Sequence, residues 1–330
     1  MASVRERLDF ALQLLAKRDE RDRHAGAAEL VELAHESDIA AELRPKLLEL
    51  LGEANPQLRA AATRALPATG PAPDLLSLLE KSAHDPEAVV RREALRSLGG
   101  LEDRQALPLL AAALGDADGQ VQFEAAIGLA SLGDASGADV LLGAVDDKVR
   151  RFFALGALAR LGEPRAREPA ERILRKRFFI SEFERAQAAG VLAKLGLDEG
   201  RSYLLSRVRN KRAEDRGLCM ELCSEHRLRE AIPTLRQAMA DKTELFRGTA
   251  ARSLGILRDL ESEPALLALA RDAKEDLDSR CDAMEGLMYL RSPDAVAALH
   301  GLSSSGDSEE VRSAANDALG WLQQHPEPAP

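Results

Sequence analysis

The stretch Val90-Arg91-Arg92-Glu93-Ala94-Leu95-Arg96-Ser97-Leu98-Gly99 decides the architecture. Its skeleton is an apolar residue, an Arg, a small residue three positions on, then Leu four beyond that, followed by Gly. The skeleton returns as Phe246, Arg247, Ala250, Leu254 and Gly255, and again as Val311, Arg312, Ala315, Leu319 and Gly320. With the Leu as anchor, successive copies fall at Leu66, Leu98, Leu129, Leu158, Leu192, Cys223, Leu254, Leu287 and Leu319, at spacings of 29 to 34 residues. Self-similarity at this period marks a solenoid, because one unit cannot bury its apolar face alone and must stack on its neighbours. A looser copy at Arg23, Gly26, Leu30 and Leu33 follows a partner helix expected over Val4 to Lys17, which gives about ten helical pairs.

Inside a unit the apolar positions advance by four, four and three, as in Val90, Ala94, Leu98 and Leu101, so they share one helical face. This is the second helix of each pair. A first helix precedes it, for example over Gln105 to Leu114 or Glu230 to Ala240, with Pro expected in its first turns at Pro45, Pro108, Pro169, Pro233 and Pro264. Small residues such as Ala62, Ala125 and Ala283 let neighbouring helices approach, and Gly133, Gly162 and Gly196 are placed to cap helices in the left-handed conformation. Of the 330 residues only 3% are aromatic, while Ala and Leu recur throughout, so almost no strand is expected. The reading is an all-α, right-handed α-solenoid over residues 1–324, with a disordered tail at 325–330.

These features resemble HEAT repeats. The variant ending Leu132-Gly133-Asp134 or Leu161-Gly162-Glu163 resembles the phycobilisome-lyase-type HEAT-like family. The resemblance covers essentially the whole chain; it is specific for fold and unspecific for function, since such repeats serve many unrelated partners. The recurring Arg is read first as architecture. An acid precedes it by five or six residues in several units, Asp85 before Arg91, Asp241 before Arg247 and Asp307 before Arg312, and such pairs resemble a ladder that ties adjacent turns together. Gln122 breaks that ladder.

The segment Met1 to Lys17 is interrupted by Arg5, Glu6, Arg7 and Asp9, unlike a signal peptide, and no run reaches the roughly 20 apolar residues needed to span a bilayer. Three cysteines, Cys219, Cys223 and Cys281, are a poor disulfide framework, so a cytoplasmic location is expected. The net charge of −10 conceals an asymmetry: residues 148–216 hold 18 Lys or Arg against 9 Asp or Glu, and five of the eight Phe. Both arms beyond this basic, Phe-rich middle are acidic.

The helical pattern places Arg92, Glu93, Arg96, Phe123, Ile127, Phe152, Phe153, Arg160, Gln187 and Lys194 on an inner, concave face, with a second apolar stripe at Ile256, Tyr289 and Trp321. Exposed apolar residues rimmed by Arg suit a peptide groove. The expected function is therefore a non-catalytic scaffold or adaptor for another protein, an acidic or amphipathic segment, with self-association also open. Alternatively, the Phe side chains fill a wider core joint and the charges are a solvated face. Nucleic acid is disfavoured, because acidic flanks would repel a duplex running along the superhelix.

Enzyme readings follow from the resemblance. Deoxyhypusine hydroxylase, a HEAT-repeat di-iron enzyme, holds its metal with several His-Glu pairs; this chain has one, His35-Glu36, which cannot complete a two-metal site. No additional motif marks a bilin pocket, so a bilin lyase is the alternative that rests on the repeat alone. Cys219, Cys223 and His226 could share a helical face and offer three zinc ligands, but the cysteines replace core Ala and Leu positions and no fourth ligand is evident. No cofactor is expected.

Overall fold

Val90, Ala94 and Leu98 are all buried, as a four-residue apolar spacing dictates, on one face of a helix over Ala88–Gly100. The computed structural model describes residues 4–35, 37–70, 72–176 and 178–326. Among them are α-helices, short 3-10 turns and no strand. The fold is an α-solenoid, divided into two compact units, Met1–Glu163 and Pro164–Pro330.

The N-terminal unit stacks five hairpins: α1 (Val4–Leu15) with α2 (Glu20–His35), α3 (Ser37–Leu50) with α4 (Pro56–Ala65), α5 (Leu75–Ala83) with α6 (Ala88–Gly100), α7 (Leu107–Ala113) with α8 (Gly119–Ser131), and α9 (Ala138–Ala144) with α10 (Arg151–Leu161). The C-terminal unit adds five more: α11 (Arg167–Arg175) with α12 (Glu182–Lys194), α13 (Asp198–Arg209) with α14 (Arg216–Glu225), α15 (Ile232–Ala240) with α16 (Arg247–Ile256), α17 (Glu263–Arg271) with α18 (Leu277–Leu290), and α19 (Pro293–Ser305) with α20 (Glu309–Gln324). One buried apolar cluster runs from Ala11 to Leu129 and another from Ala186 to Leu319, each built from Ala and Leu of successive hairpins.

Local chemistry sets the hairpin boundaries. The Asp118 carboxylate accepts from the Gln120 and Val121 N–H groups and starts α8. Ser181 and Glu184 form a capping box at α12, satisfying two donors that the helix leaves unpaired. Gly133, Gly162 and Gly196 adopt φ of 76°, 64° and 77° where the chain turns into the next hairpin. Pro108, Pro233 and Pro264 sit at the first positions of α7, α15 and α17. Pro45 departs from that expectation: α3 begins earlier than the pattern implied, so this Pro lies inside the helix.

The second helices approach one another most closely through glycine. A Cβ on Gly99 would fall 2.6 Å from the Gly128 Cα, and one on Gly255 would collide with the Gly286 backbone. Small side chains at these positions are a packing requirement. At the corresponding Gly320 nothing lies within 4 Å of an added Cβ.

Candidate functional site

The repeated Arg carries two sets of bonds. Arg91 donates through Nη1 to the carbonyls of Asp85 and Pro86 at 2.9 and 3.0 Å, closing its own hairpin. Its Nε and Nη2 reach both carboxylate oxygens of Asp116 in the next hairpin, each at 2.8 Å. Asp85 is therefore not the ion-pair partner of Arg91; it receives Arg59 from the preceding hairpin, at 2.8 Å through each oxygen. The pairing is displaced by one hairpin, because Arg points along the stacking direction while the acid sits at the end of the following first helix.

The same displacement governs the C-terminal unit. Asp307 accepts from Arg280 at 2.6 Å, Asp241 from Lys211 at 2.6 Å, and Arg247 pairs with Glu275. Arg312, in the last hairpin, retains only the backbone half, a 2.7 Å bond to the Gly306 carbonyl. Gln122 keeps that half too, donating to the Asp116 carbonyl at 2.7 Å, but its neutral amide forms no ion pair onward.

The basic stretch 148–216 is less positive than its composition implies. Four carboxylates from outside it, Asp147, Glu230, Asp241 and Glu244, pair with Arg150, Arg201, Lys211 and Arg216. Inside it, Arg175 meets Glu199 at 2.8 Å and Arg207 meets the fully buried Asp215 at 2.6 Å. Arg160, Lys176, Lys194, Arg209 and Arg212 form no ion pair among the described residues. Arg160 and Lys194 are exposed.

The phenylalanines divide sharply. Phe153 is 60% exposed, Phe178 73%, Phe179 84% and Phe183 42%. They do not fill a wider joint. The extra length between Leu158 and Leu192 is taken up by the segment between α11 and α12, where Ile180 is buried and the rings beside it face solvent. Arg177, in the middle of that segment, lies outside the described residues. Phe152 is half-buried with its ring 5.4 Å from that of Phe153, edge to face.

Other members of the expected surface need correction. Phe123 is only 4% exposed, since Arg150 of the following hairpin covers it with a guanidinium 5.5 Å above the ring. Glu93 and Gln187 are buried as well, and Ile127 is half-buried. Arg92 is half-buried and Arg96 exposed; Arg96 pairs with Glu93 at 3.1 Å and Glu124 at 2.6 Å. At Phe123 the cover comes from the next hairpin, which helical periodicity within a single helix does not reveal.

Ile256, Tyr289 and Trp321 are half-buried. Tyr289 meets Trp321 edge to face at 5.5 Å, His325 stacks on the indole at 4.3 Å, and the Arg291 guanidinium lies 5.1 Å from it. The end of the chain thus covers part of this stripe through His325; residues 327–330 lie outside the described residues. A cavity of about 370 Å³ beside Tyr289 and Trp321 is lined by Asp282, Glu285 and Asp317. Burial, reinforced by Glu285 and Glu221 against the opposing pull of Arg252, pushes the Asp282 carboxyl up to about 6.

Cys219 and Cys223 lie fully buried in the apolar core, and burial raises both thiols, that of Cys223 to about 12. His226 follows them at the end of α14 with neither ring nitrogen hydrogen-bonded; burial, with Lys194 nearby, pushes its imidazole down to about 4. Among the described residues no three His, Cys, Asp or Glu side chains converge as metal ligands. Glu36 of the His35-Glu36 pair lies outside the described residues. No described helix is long and apolar enough to cross a membrane.

A family model described as HEAT repeats matches residues 72–152 and 215–280. No curated protein matches the chain by sequence. Among solved structures, human deoxyhypusine hydroxylase in complex with glycerol is 21% identical, covering 76% of this chain and 96% of that one at a TM-score of 0.36. The complex of CpcE and CpcF of phycocyanin lyase from Nostoc sp. PCC7120 is 20% identical over 79% of this chain and 94% of that one, with a TM-score of 0.45. The karyopherin Kap121p bound to Nup53p is 15% identical over 95% of this chain and 41% of that one, at 0.41. No activity, substrate or partner follows from these three. The HEAT-repeat model thus matches in both compact units, and helical hairpins of the same kind recur beyond the matched residues.

Proposed function

We propose that this protein is a non-catalytic interaction scaffold that binds an acidic or amphipathic segment of another protein through its basic, Phe-rich stretch. The observation that supports the reading is the solvent exposure of Phe153, Phe178, Phe179 and Phe183, close in sequence to basic side chains left without an ion pair. Exposed aromatic rings grouped in this way are the kind of surface that association covers. Covering one such ring on association contributes roughly 1.5–3 kcal/mol. The unpaired cations steer an acidic partner and fix its register, and the rings supply affinity.

The Arg160→Glu, Lys194→Glu double variant tests the charge component in affinity capture, and Phe178→Ser with Phe179→Ser tests the aromatic component. Both are expected to lose the captured protein while keeping the wild-type melting temperature, since all four side chains are exposed. Undiminished capture by both variants at unchanged stability rejects the reading.

A further inference from the structure

In the N-terminal unit a cavity of about 210 Å³ opens between the second helices α2, α4 and α6. Arg23, Arg64, Arg92 and Glu93 line it, over a floor that includes the buried Ala60 and Ala61. Three arginines thus line one void with one carboxylate residue among them.

None of the three has the two-point carboxylate partner that Arg59 and Arg91 have. Arg23 holds the carbonyls of Lys17 and Arg18 at 3.3 and 2.6 Å, the backbone half of the ladder. The carboxylate half, which Asp85 and Asp116 supply to Arg59 and Arg91, has no counterpart for Arg23 among the described residues. Arg64 has no hydrogen bond or ion pair among them. Arg92 comes no nearer than 3.6 Å to Glu93, and its Nε is buried with no acceptor. Glu93 is itself drawn to Arg96, which it meets at 3.1 Å.

Like charges held around a shared void repel, and a buried N–H without an acceptor carries its full desolvation cost. An oxyanion in the cavity relieves both. Guanidinium donors match a carboxylate bidentately, and the apolar floor accommodates the methylenes that carry it. The volume falls below the roughly 300–1,000 Å³ of small-molecule pockets, which suits one inserted side chain.

We propose that this cavity is a receptor for a carboxylate side chain, Glu in preference to Asp, presented by an acidic segment of a partner protein. It is a site separate from the Phe-rich stretch and stands whether or not that stretch binds anything.

The experiment is titration calorimetry of the full chain with a blocked tetraglutamate peptide. Parallel arms use blocked tetraglutamine, sodium phosphate and a short single-stranded oligonucleotide. Tetraglutamate is expected to bind and tetraglutamine to give no heat. Arg64→Ala, whose side chain has no partner to lose, is expected to weaken tetraglutamate about ten-fold, as removal of one charge-assisted hydrogen bond does. Arg64→Lys is expected to recover part of that loss, and Arg160→Glu to bind as wild type. Absence of tetraglutamate binding, or binding insensitive to Arg64→Ala in a variant with wild-type melting, overturns the site. Tighter binding of phosphate or of the oligonucleotide through Arg64 overturns the protein segment as its occupant. Wild-type tetraglutamate affinity in the Phe178→Ser, Phe179→Ser variant is the expected sign that the cavity acts independently.

Discussion

At the scale of single residues, the repeated Arg works as a two-ended staple. Arg91 fastens the carbonyls of its own hairpin and the Asp116 carboxylate of the next, and both side chains are largely shielded from water. The hydrogen bonds from Arg91 hold the Asp116 carboxyl below the usual carboxylate range. The folded-state pKa is therefore lower than the unfolded one, near 3.9. The stabilisation it confers is complete above that value and is lost as pH falls through the lowered one. Asp116→Asn is expected to cost about 1–2 kcal/mol at pH 7. Its urea midpoint should converge on that of the wild type once pH has fallen through the lowered pKa, where both carry a neutral group at this position. A difference that stays constant from pH 7 to pH 2 would show that Asp116 acts by shape alone. Sequence spacing identified Arg and Asp as ladder components but paired them within a unit. The true partner sits one hairpin further on, and that distance is set by how the hairpins stack, which spacing within a unit does not encode.

At the scale of elements, one sequence position has two different physical meanings. Gly99, Gly255 and Gly320 all follow the anchor Leu of their repeats. Gly255 faces the Gly286 backbone where α16 and α18 touch, whereas Gly320 faces open space in α20. Gly255→Ala must push two helices apart and is expected to cost about 1–3 kcal/mol. Gly320→Ala removes only backbone freedom from the unfolded chain and is expected to stabilise by about 0.5–1 kcal/mol. Paired urea titrations check both, and equal effects at the two positions would refute the close-approach account. The helices themselves were legible, since apolar periodicity, turn glycines and most first-turn prolines all agree with the observed hairpins. The surface was less so. Phe123 and Phe153 look alike along the chain, yet Arg150 of the next hairpin covers the first, whereas the second is 60% exposed beside Phe152. Exposure on a stacked helix is decided by the neighbouring hairpin.

At the scale of the whole chain, the repeat produces two compact units with their own buried apolar clusters, each a series of nearest-neighbour contacts. Composition alone overstated the charge of the middle, because carboxylates such as Glu230 and Glu244 reach back into it from later hairpins. In a structure held together serially, resistance to opening is set by the weakest junction rather than by the average. Gln122 makes such a junction in the N-terminal unit: it closes its own turn onto the Asp116 carbonyl and offers no charge to the hairpin of α9 and α10. Amide hydrogen exchange read peptide by peptide is expected to report a subglobal opening that separates α8 from α10 at lower free energy than the opening that separates α6 from α8, where Arg91 is intact. Uniform protection across both junctions would contradict it. Substituting one neutral amide for a guanidinium thus gives an otherwise repetitive stack of hairpins in the N-terminal unit a preferred place to yield, a mechanical fuse written as a single codon.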